Sequence, residues 1–264
     1  MFGLTPTVFC GPMKSGTTWV HEYLKARGDV CLPERTKELF FFDRYYGRGL
    51  AWYAGQFRPR PHHRILVDVA PSIIAHPEAP ARVARTLPGA RVVLLRRDPV
   101  ARSWSHYLHL KRYGYTSAPL AQAIAAHPAI IEASRSDFWL SRWREELGAE
   151  RVRELDAEIL FRDAVRFAED LDRVLGLPRS GVDIGALGKV NGAAAPRHHL
   201  ISSAARTISY TLRDLRLDGV VHAARRMGLN RIYASDRSSG PPPKATESDR
   251  ALIAEKLSEP ARAG

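Results

Sequence analysis

Five polar or small residues near the start of this 264-residue chain could bind an anion: Lys14, Ser15, Gly16, Thr17 and Thr18. An apolar run at 8–10 precedes them, and an apolar-periodic segment follows from residue 19. A small-residue loop between a strand and a helix offers backbone N–H groups and a helix N-terminus to a phosphate, and a lysine adds a full charge. The segment therefore predicts a phosphate-binding loop. An ordinary helix N-cap is the alternative interpretation.

The position of the lysine separates this loop from the common nucleotide-binding loop. That loop reads G-x-x-x-x-G-K-[ST]. Gly11 and Gly16 have its glycine spacing, but Thr17 occupies the lysine position and the lysine is Lys14, three residues earlier. The displacement argues against a kinase or another P-loop phosphotransferase, and no carboxylate strand for magnesium is evident. A phosphotransferase therefore remains only the first alternative.

A second group of candidate residues follows the apolar run Val92–Leu95. Asp98 can cap a helix, and Pro99 suits the first helical position. Arg97 would then lie at the end of a strand, with Ser105 two turns into the helix. A forked guanidinium and a hydroxyl suit a phosphate monoester. A simple capped helix start is the alternative.

Short apolar runs alternate with helical periodicity along the chain, which predicts an α/β fold of three layers with a central parallel sheet flanked by helices. The predicted strands lie near Thr7–Cys10, Ile65–Val69, Val92–Leu95 and Ala157–Phe161. The predicted helices lie near Gly16–Arg27, Pro77–Leu87, Pro99–Arg112, Asp137–Leu147 and Asp163–Leu175. Ligands of such sheets bind at the carboxyl ends of the strands, where the Lys14 loop would lie.

Length and composition indicate one domain spanning 1–264, with a core at about 5–200 and a helical C-terminal extension at about 201–264. No apolar run approaches the roughly 20 residues of a membrane span. The N-terminus lacks the features of a signal peptide, and there are two cysteines. We therefore expect a cytoplasmic protein without a disulfide framework.

The formal net charge is +12. Basic residues are scattered and match no aromatic RNA-binding platform, so no specific nucleic-acid partner is expected. The segment 201–229 reads as one or two basic amphipathic helices, which leaves weak contact with a membrane surface open. A non-catalytic protein that binds nucleic acid or a membrane surface is the second alternative. The sequence predicts no oligomeric state.

The two motifs occur in the order found in sulfotransferases that use 3′-phosphoadenosine 5′-phosphosulfate (PAPS) and release 3′-phosphoadenosine 5′-phosphate (PAP). The first segment, P-x-K-S-G-T-T-W, resembles their 5′-phosphosulfate loop, and the spacing of Arg97 and Ser105 resembles their 3′-phosphate element. The resemblance implies a P-loop-like fold and in-line transfer of a sulfuryl group. It also implies that Lys14 stabilises the leaving 5′-phosphate. No metal is expected.

A third segment, Lys37–Asp43 with Trp52, Tyr53 and Phe57 after it, is similar to the heparan sulfate N- and O-sulfotransferase branch and its bacterial relatives. The resemblance implies that Glu38 is the catalytic base. Asp68 is the rival base. His109 shares a helix face with Ser105 and is either a second acid–base or acceptor contact, or a packed helix histidine.

Two departures from that branch bear on the acceptor. Val69 and Ile73 replace a lysine and a tyrosine of the branch, which weakens a heparan-like substrate. The later loop resembles an N-x-x-x-x-P-R variant of bacterial members. This implies three residues on the 3′-phosphate side, with a basic surface loop as the alternative: Lys189, Asn191 and Arg197. The expected acceptor is a hydroxyl, less readily an amine, of a carbohydrate, glycolipid or small natural product.

Overall fold

A five-stranded parallel sheet forms the centre of the computed structural model, which describes residues 3–187, 195–196, 234–235 and 242–261. Its strands are β1 (Pro6–Cys10), β2 (Val30–Cys31), β3 (Ile65–Val69), β4 (Arg91–Arg96) and β5 (Val152–Asp156). They are arranged in the order β2-β3-β1-β4-β5, and every neighbouring pair is parallel. A separate antiparallel pair joins β6 (Ala195–Pro196) to β7 (Ala234–Ser235). The first strand is therefore central.

Helices cover both faces of the sheet. They are α1 (Thr17–Arg27), α2 (Gly49–Ala54), α3 (Ala79–Thr86), α4 (Pro99–Arg112), α5 (Leu120–Ala126), α6 (Ala129–Glu132), α7 (Ser136–Leu147), α8 (Ala157–Arg162), α9 (Ala164–Leu175) and α10 (Glu247–Ser258). Side chains alternate across a strand, so Val8 and Cys10 join one buried cluster while Phe9 joins the other. The first cluster includes residues of α3 and α7, and the second includes residues of α1 and α9. The predicted three-layer α/β fold is confirmed.

One predicted strand is wrong. Residues 157–161 belong to the helix α8, and the strand β5 lies just before them. The carboxylate of Asp156 accepts a hydrogen bond from the backbone N–H of Glu158 at 2.9 Å, and this N-cap starts the helix. Arg153 and Asp156 are exposed on β5, so this edge strand lacks the apolar run that marks β1, β3 and β4. β2 and the helices α2, α5 and α6 were also not predicted.

The helix α10 packs against α4. Ile253 is buried in a third apolar cluster together with Tyr107 and Leu110 of α4. The guanidinium of Arg135 donates to the carbonyls of Lys256, Leu257 and Glu259, at 2.9, 2.7 and 2.6 Å. These carbonyls lie at the end of α10, where backbone C=O groups have no N–H partner within the helix. Arg135 therefore caps the helix that covers α4.

The basic helices predicted at 201–229 lie outside the described residues. None of the helices in the described segments has both the length and the apolar composition of a membrane span. α10 is the part of the predicted C-terminal extension whose packing is described.

Candidate functional site

The loop of residues 11–16 leaves the carboxyl end of the central strand β1 and enters α1. Two glycines allow its close packing. A Cβ on Gly11 would lie 2.6 Å from the Cβ of Leu95 in β4. A Cβ on Gly16 would lie 2.5 Å from Cδ2 of Leu160, and Gly16 also has a φ of +95°. The loop is therefore pressed between β4 and α8.

The start of α1 has the features of an anion site. Gly16 is the N-cap residue and supplies no side-chain cap, and no acidic residue lies in the first turn. The first N–H groups of a helix have no partner within the helix, so an anion can accept from them. The hydroxyl of Ser15 is fully buried and has no hydrogen-bond partner among the described residues. A phosphate fits this donor set.

Lys14 and Arg97 meet at this loop. Nη1 of Arg97 donates to the backbone carbonyl of Lys14, which has a φ of +78°. The positive φ is uncommon for a residue with a side chain, and Arg97 helps to hold it. Burial lowers the pKa of the Lys14 ammonium, and the positive charges of Arg97 and Arg112 lower it further. Several cations therefore converge where a phosphate would bind.

Besides the Lys14 carbonyl, two further groups lie against the Arg97 side chain. Its guanidinium lies over the ring of Phe161, 4.7 Å from the centroid, and Phe161 is 42% exposed. Its Nε lies 3.9 Å from Oε1 of Glu158 and has no hydrogen-bond partner among the described residues. Burial lowers the pKa of Arg97, and the charges of Glu158 and Asp98 oppose that change. At 3.9 Å, the Glu158 carboxylate is too far from Nε for a hydrogen bond, so within the described part of the chain this N–H is a donor without an acceptor.

The predicted start of α4 is confirmed. The carboxylate of Asp98 accepts from the backbone N–H of Ala101 at 2.7 Å, and Pro99 is the first helical residue. Ser105 lies on this helix with part of its surface exposed. The ring of His109 lies 4.5 Å from that of Tyr113, one turn further along at the C-cap of α4.

A buried pair on α4 was missed by the sequence analysis. Nη2 of the fully buried Arg102 lies 2.7 Å from Nδ1 of His106 and also donates to the carbonyl of Ala129 at 2.9 Å. Burial, and then the charge of Arg102, lowers the pKa of His106 to about 3. His106 is therefore a neutral acceptor for Arg102, and the pair ties α4 to α6. The spacing of four residues between them was the available signal.

The neighbouring Lys37 connects Glu38 to the start of α1. Nζ of Lys37 is 2.9 Å from Oε1 of Glu38 and 3.2 Å from Oγ1 of Thr18, the second residue of α1. Thr36 donates to the backbone carbonyl of Glu38 at 3.3 Å. The structure thus brings Glu38 to the same helix N-terminus as Lys14.

Asp68, in the strand β3, differs from Glu38 because its side chain is buried. It is 1% exposed, and neither carboxylate oxygen makes a hydrogen bond of standard geometry with the described residues. Burial raises the pKa of Asp68 to about 7, and the charges of Asp43 and Glu38 raise it as well. The nearby Tyr53 hydroxyl partly offsets these effects. Asp68 is an enclosed carboxyl group.

Two of the remaining predicted site residues lie at the start of α1, and three lie outside the described residues. Thr17 is buried at the first position of α1, and Thr18 is exposed. Lys189, Asn191 and Arg197 lie outside the described residues. Among the residues that are described, no group of three or more His, Cys, Asp or Glu side chains could hold a metal ion.

Known proteins resemble this chain in sequence and fold. A family model described as "Sulfotransferase family" matches residues 52–181. Membrane-associated sulfotransferase kil1 of Dictyostelium discoideum is 35% identical over 103 residues, which are 38% of this chain and 22% of that protein. Heparan sulfate glucosamine 3-O-sulfotransferase 3B1 of Homo sapiens is 34% identical over 104 residues, which are 39% and 26% of the two chains. The matched part is about a quarter of each curated relative.

A solved structure shares the architecture. The sulfotransferase from Alicyclobacillus acidocaldarius superposes with a TM-score of 0.60 at 21% sequence identity, covering 67% of this chain and 83% of that one. This likeness concerns the fold. Residues 52–181 of the chain thus resemble the sulfotransferase family in sequence, and the chain resembles a solved sulfotransferase in fold.

Proposed function

We propose that this chain transfers a sulfuryl group from PAPS to a hydroxyl group of an acceptor. The observation that carries this proposal is the loop at the end of β1, where an uncapped helix N-terminus, the buried Ser15 hydroxyl and Lys14 converge. Arg97, which directly follows the neighbouring strand β4, adjoins that loop. A donor with one phosphate at each end suits this distribution of donors and cations.

PAPS supplies an activated sulfuryl group when it is bound. The backbone N–H groups at the start of α1 and the Ser15 hydroxyl would bind the 5′-phosphate. The Lys14 ammonium would stabilise the charge that grows on this phosphate as it leaves with the bonding electron pair. Arg97 and Ser105 would bind the 3′-phosphate. The protein mainly positions the reactants and stabilises charge, as in phosphoryl transfer.

Glu38 is the favoured base. The acceptor oxygen forms its bond to sulfur while its proton passes to the Glu38 carboxylate. Glu38 retains 27% side-chain exposure beside the loop, whereas Asp68 is enclosed. A base must come within hydrogen-bond reach of the proton that it removes, and solvent-accessible Glu38 meets this condition better. Glu38→Gln should reduce turnover by about 10²–10⁴-fold.

The acceptor class we propose is a carbohydrate, glycolipid or small natural product. Much of the aromatic segment is core: Tyr53, Phe41 and Phe57 are buried. Trp52 is only partly buried, and the Arg48 guanidinium lies 4.7 Å from its ring centroid. A cation on a partly open aromatic surface suits a polar ring with an anionic substituent.

The first test is calorimetric titration of the chain with PAP, with 5′-AMP as the control ligand. We expect micromolar binding of PAP that depends on the 3′-phosphate and weakens strongly in Arg97→Ala. Arg166→Ala is the matched control, because this arginine is exposed on α9 and lies outside the proposed site. Equal binding of PAP and AMP would refute the assignment of the 3′-phosphate site.

Turnover then separates the roles of the catalytic groups. Labelled PAPS with a panel of sugar and phenol acceptors should give a sulfated product with wild-type protein. Lys14→Ala should lose most of this activity, and retention of it would remove Lys14 from the leaving-group role. If Asp68→Asn were inactive while Glu38→Gln retained activity, the base would be Asp68. Turnover of ATP with magnesium instead would favour the phosphotransferase alternative.

A further inference from the structure

Lys37 contacts both the helix that follows the donor loop and the proposed base. Lys37 and Thr18 are 19 positions apart in sequence, yet Nζ of Lys37 lies 3.2 Å from the Thr18 hydroxyl oxygen. The same Nζ lies 2.9 Å from the carboxylate of Glu38. Lys37 therefore links the start of α1 to the carboxylate that we propose as the base.

The surroundings of Lys37 limit what this contact can be. Its side chain is 23% exposed and that of Glu38 is 27% exposed. Ion pairs at exposed surfaces contribute only about 0–1 kcal/mol to stability, so stability alone gives little reason for this pair. A charge near an anion site has a larger effect there, because its field acts on whatever charge is bound.

The charge of Lys37 acts along α1. Burial lowers the pKa of His21, and the charges of Lys37 and Lys25 contribute to this effect, whereas Glu22 opposes it. His21 is three residues after Thr18, so the two share a side of α1. The ammonium is thus close to the helix N-terminus where Lys14 and Ser15 would hold a phosphate.

We infer that Lys37 is a positioning residue for sulfuryl transfer, which holds the Glu38 carboxylate toward the donor loop. This inference rests on the proposed function. Lys37 forms and breaks no covalent bond: the acceptor proton goes to Glu38 and the electron pair leaves with the 5′-phosphate. A role through Glu38 predicts a larger effect on kcat than on nucleotide affinity.

The test compares Lys37→Met, Lys37→Arg and Lys37→Met combined with Glu38→Gln. Lys25→Met is the matched control, because Lys25 is an exposed lysine on the same helix α1 as Thr18. Two readouts need no identified acceptor: the Kd for PAP by calorimetry, and release of labelled sulfate from PAPS with water as the acceptor. Circular dichroism of each variant excludes loss of folding.

We expect Lys37→Met to lower kcat for sulfate release by about 10- to 100-fold, which is at most the lower limit of a full acid–base contribution, because the Glu38 carboxylate itself remains. Its Kd for PAP should change by less than about threefold, and Lys37→Arg should recover much of the rate because it keeps the charge. In the Glu38→Gln background, Lys37→Met should lower the rate little further, since residues that act as one unit are non-additive.

Three results would overturn the inference. In the first, Lys37→Met matches Lys25→Met in kcat while the wild type is active. In the second, the losses from Lys37→Met and Glu38→Gln multiply fully. In the third, Lys37→Met weakens the binding of PAP by as large a factor as it lowers kcat. A wild type that fails to bind PAP at all overturns the proposed function, and the inference with it.

Discussion

Replacing Asp68 with asparagine should make the protein more stable at alkaline pH than the wild type. Asp68 is fully buried, and its pKa is about 7 in the folded protein against 3.8 for an ordinary aspartate. The folded state therefore binds more protons than the unfolded state between these values. Stability falls with rising pH wherever the folded state binds more protons. The wild type should consequently lose stability as the pH rises from about 4 to 7.

The size of the effect follows from the same values. From pH 5 to the folded pKa of about 7, the pH rises by two units while Asp68 is ionised in the unfolded state and still protonated in the folded state. At about 1.36 kcal/mol per unit, this corresponds to about 2.7 kcal/mol. Asparagine has nearly the same shape and stays neutral, so it avoids this loss. Its amide lacks a full set of partners, which costs about 1–3 kcal/mol independently of pH.

The assay is urea unfolding of wild type and Asp68→Asn at pH 5 and pH 8, with equal m-values required for the comparison. Subtracting the two proteins at each pH removes the contributions of the histidines, which both share. The difference should move by about 2.7 kcal/mol in favour of Asp68→Asn from pH 5 to pH 8. A difference that stays constant within about 0.5 kcal/mol would refute the burial argument, and one that moves the other way would indicate an ionised Asp68 with a partner.

Three further predictions concern the loop, the nucleotide site and the C-terminal helix. Gly16→Ala should lower stability by about 1–3 kcal/mol, because of its positive φ and the contact with Leu160, and should abolish PAP binding; calorimetry on refolded protein checks both. Phe161→Ala should reduce the ratio of PAP to AMP affinity about two- to fivefold, since it removes the ring under Arg97; an unchanged ratio would remove Phe161 from the site. Arg135→Ala should lower the free energy of unfolding in urea by about 2 kcal/mol and speed hydrogen exchange in α10, because three carbonyls at the end of this helix lose their donor; unchanged exchange in α10 would contradict this role.

The sequence predicted those parts of the fold whose signals are contiguous. β3 is one apolar run, Ile65–Val69, and α4 begins at Asp98 and Pro99 as expected. β5 was missed because an edge strand buries only some of its side chains, and the apolar run of α8 resembles a strand. In that segment the cap at Asp156 decides the outcome, and capping depends on local geometry as well as on residue type.

In the candidate site too, the sequence predicted the contiguous motif and missed the contacts between distant segments. The Lys14 loop is local in sequence, so its spacing located it. The contact of Arg97 with the Lys14 carbonyl follows from the pairing of β1 with β4, which the sequence analysis did not predict. The approach of Lys37 to Thr18 depends on the path of the segment after β2, which has no periodic pattern. The enclosure of Asp68 likewise depends on how Tyr53 packs across the chain.

The docking of α10 on α4 affects when the protein can complete its fold during synthesis. Trp104 of α4 donates from its indole N–H to the carbonyl of Pro243 at 2.8 Å, across 139 positions of the chain. A ribosome adds about 5–20 residues per second, so α4 emerges several seconds before the segment that covers it. During that interval the apolar side of α4 that later meets Ile253 is open to solvent or to a chaperone. Synthesis stalled before residue 242 should therefore yield nascent chains that bind chaperones more strongly than the released protein.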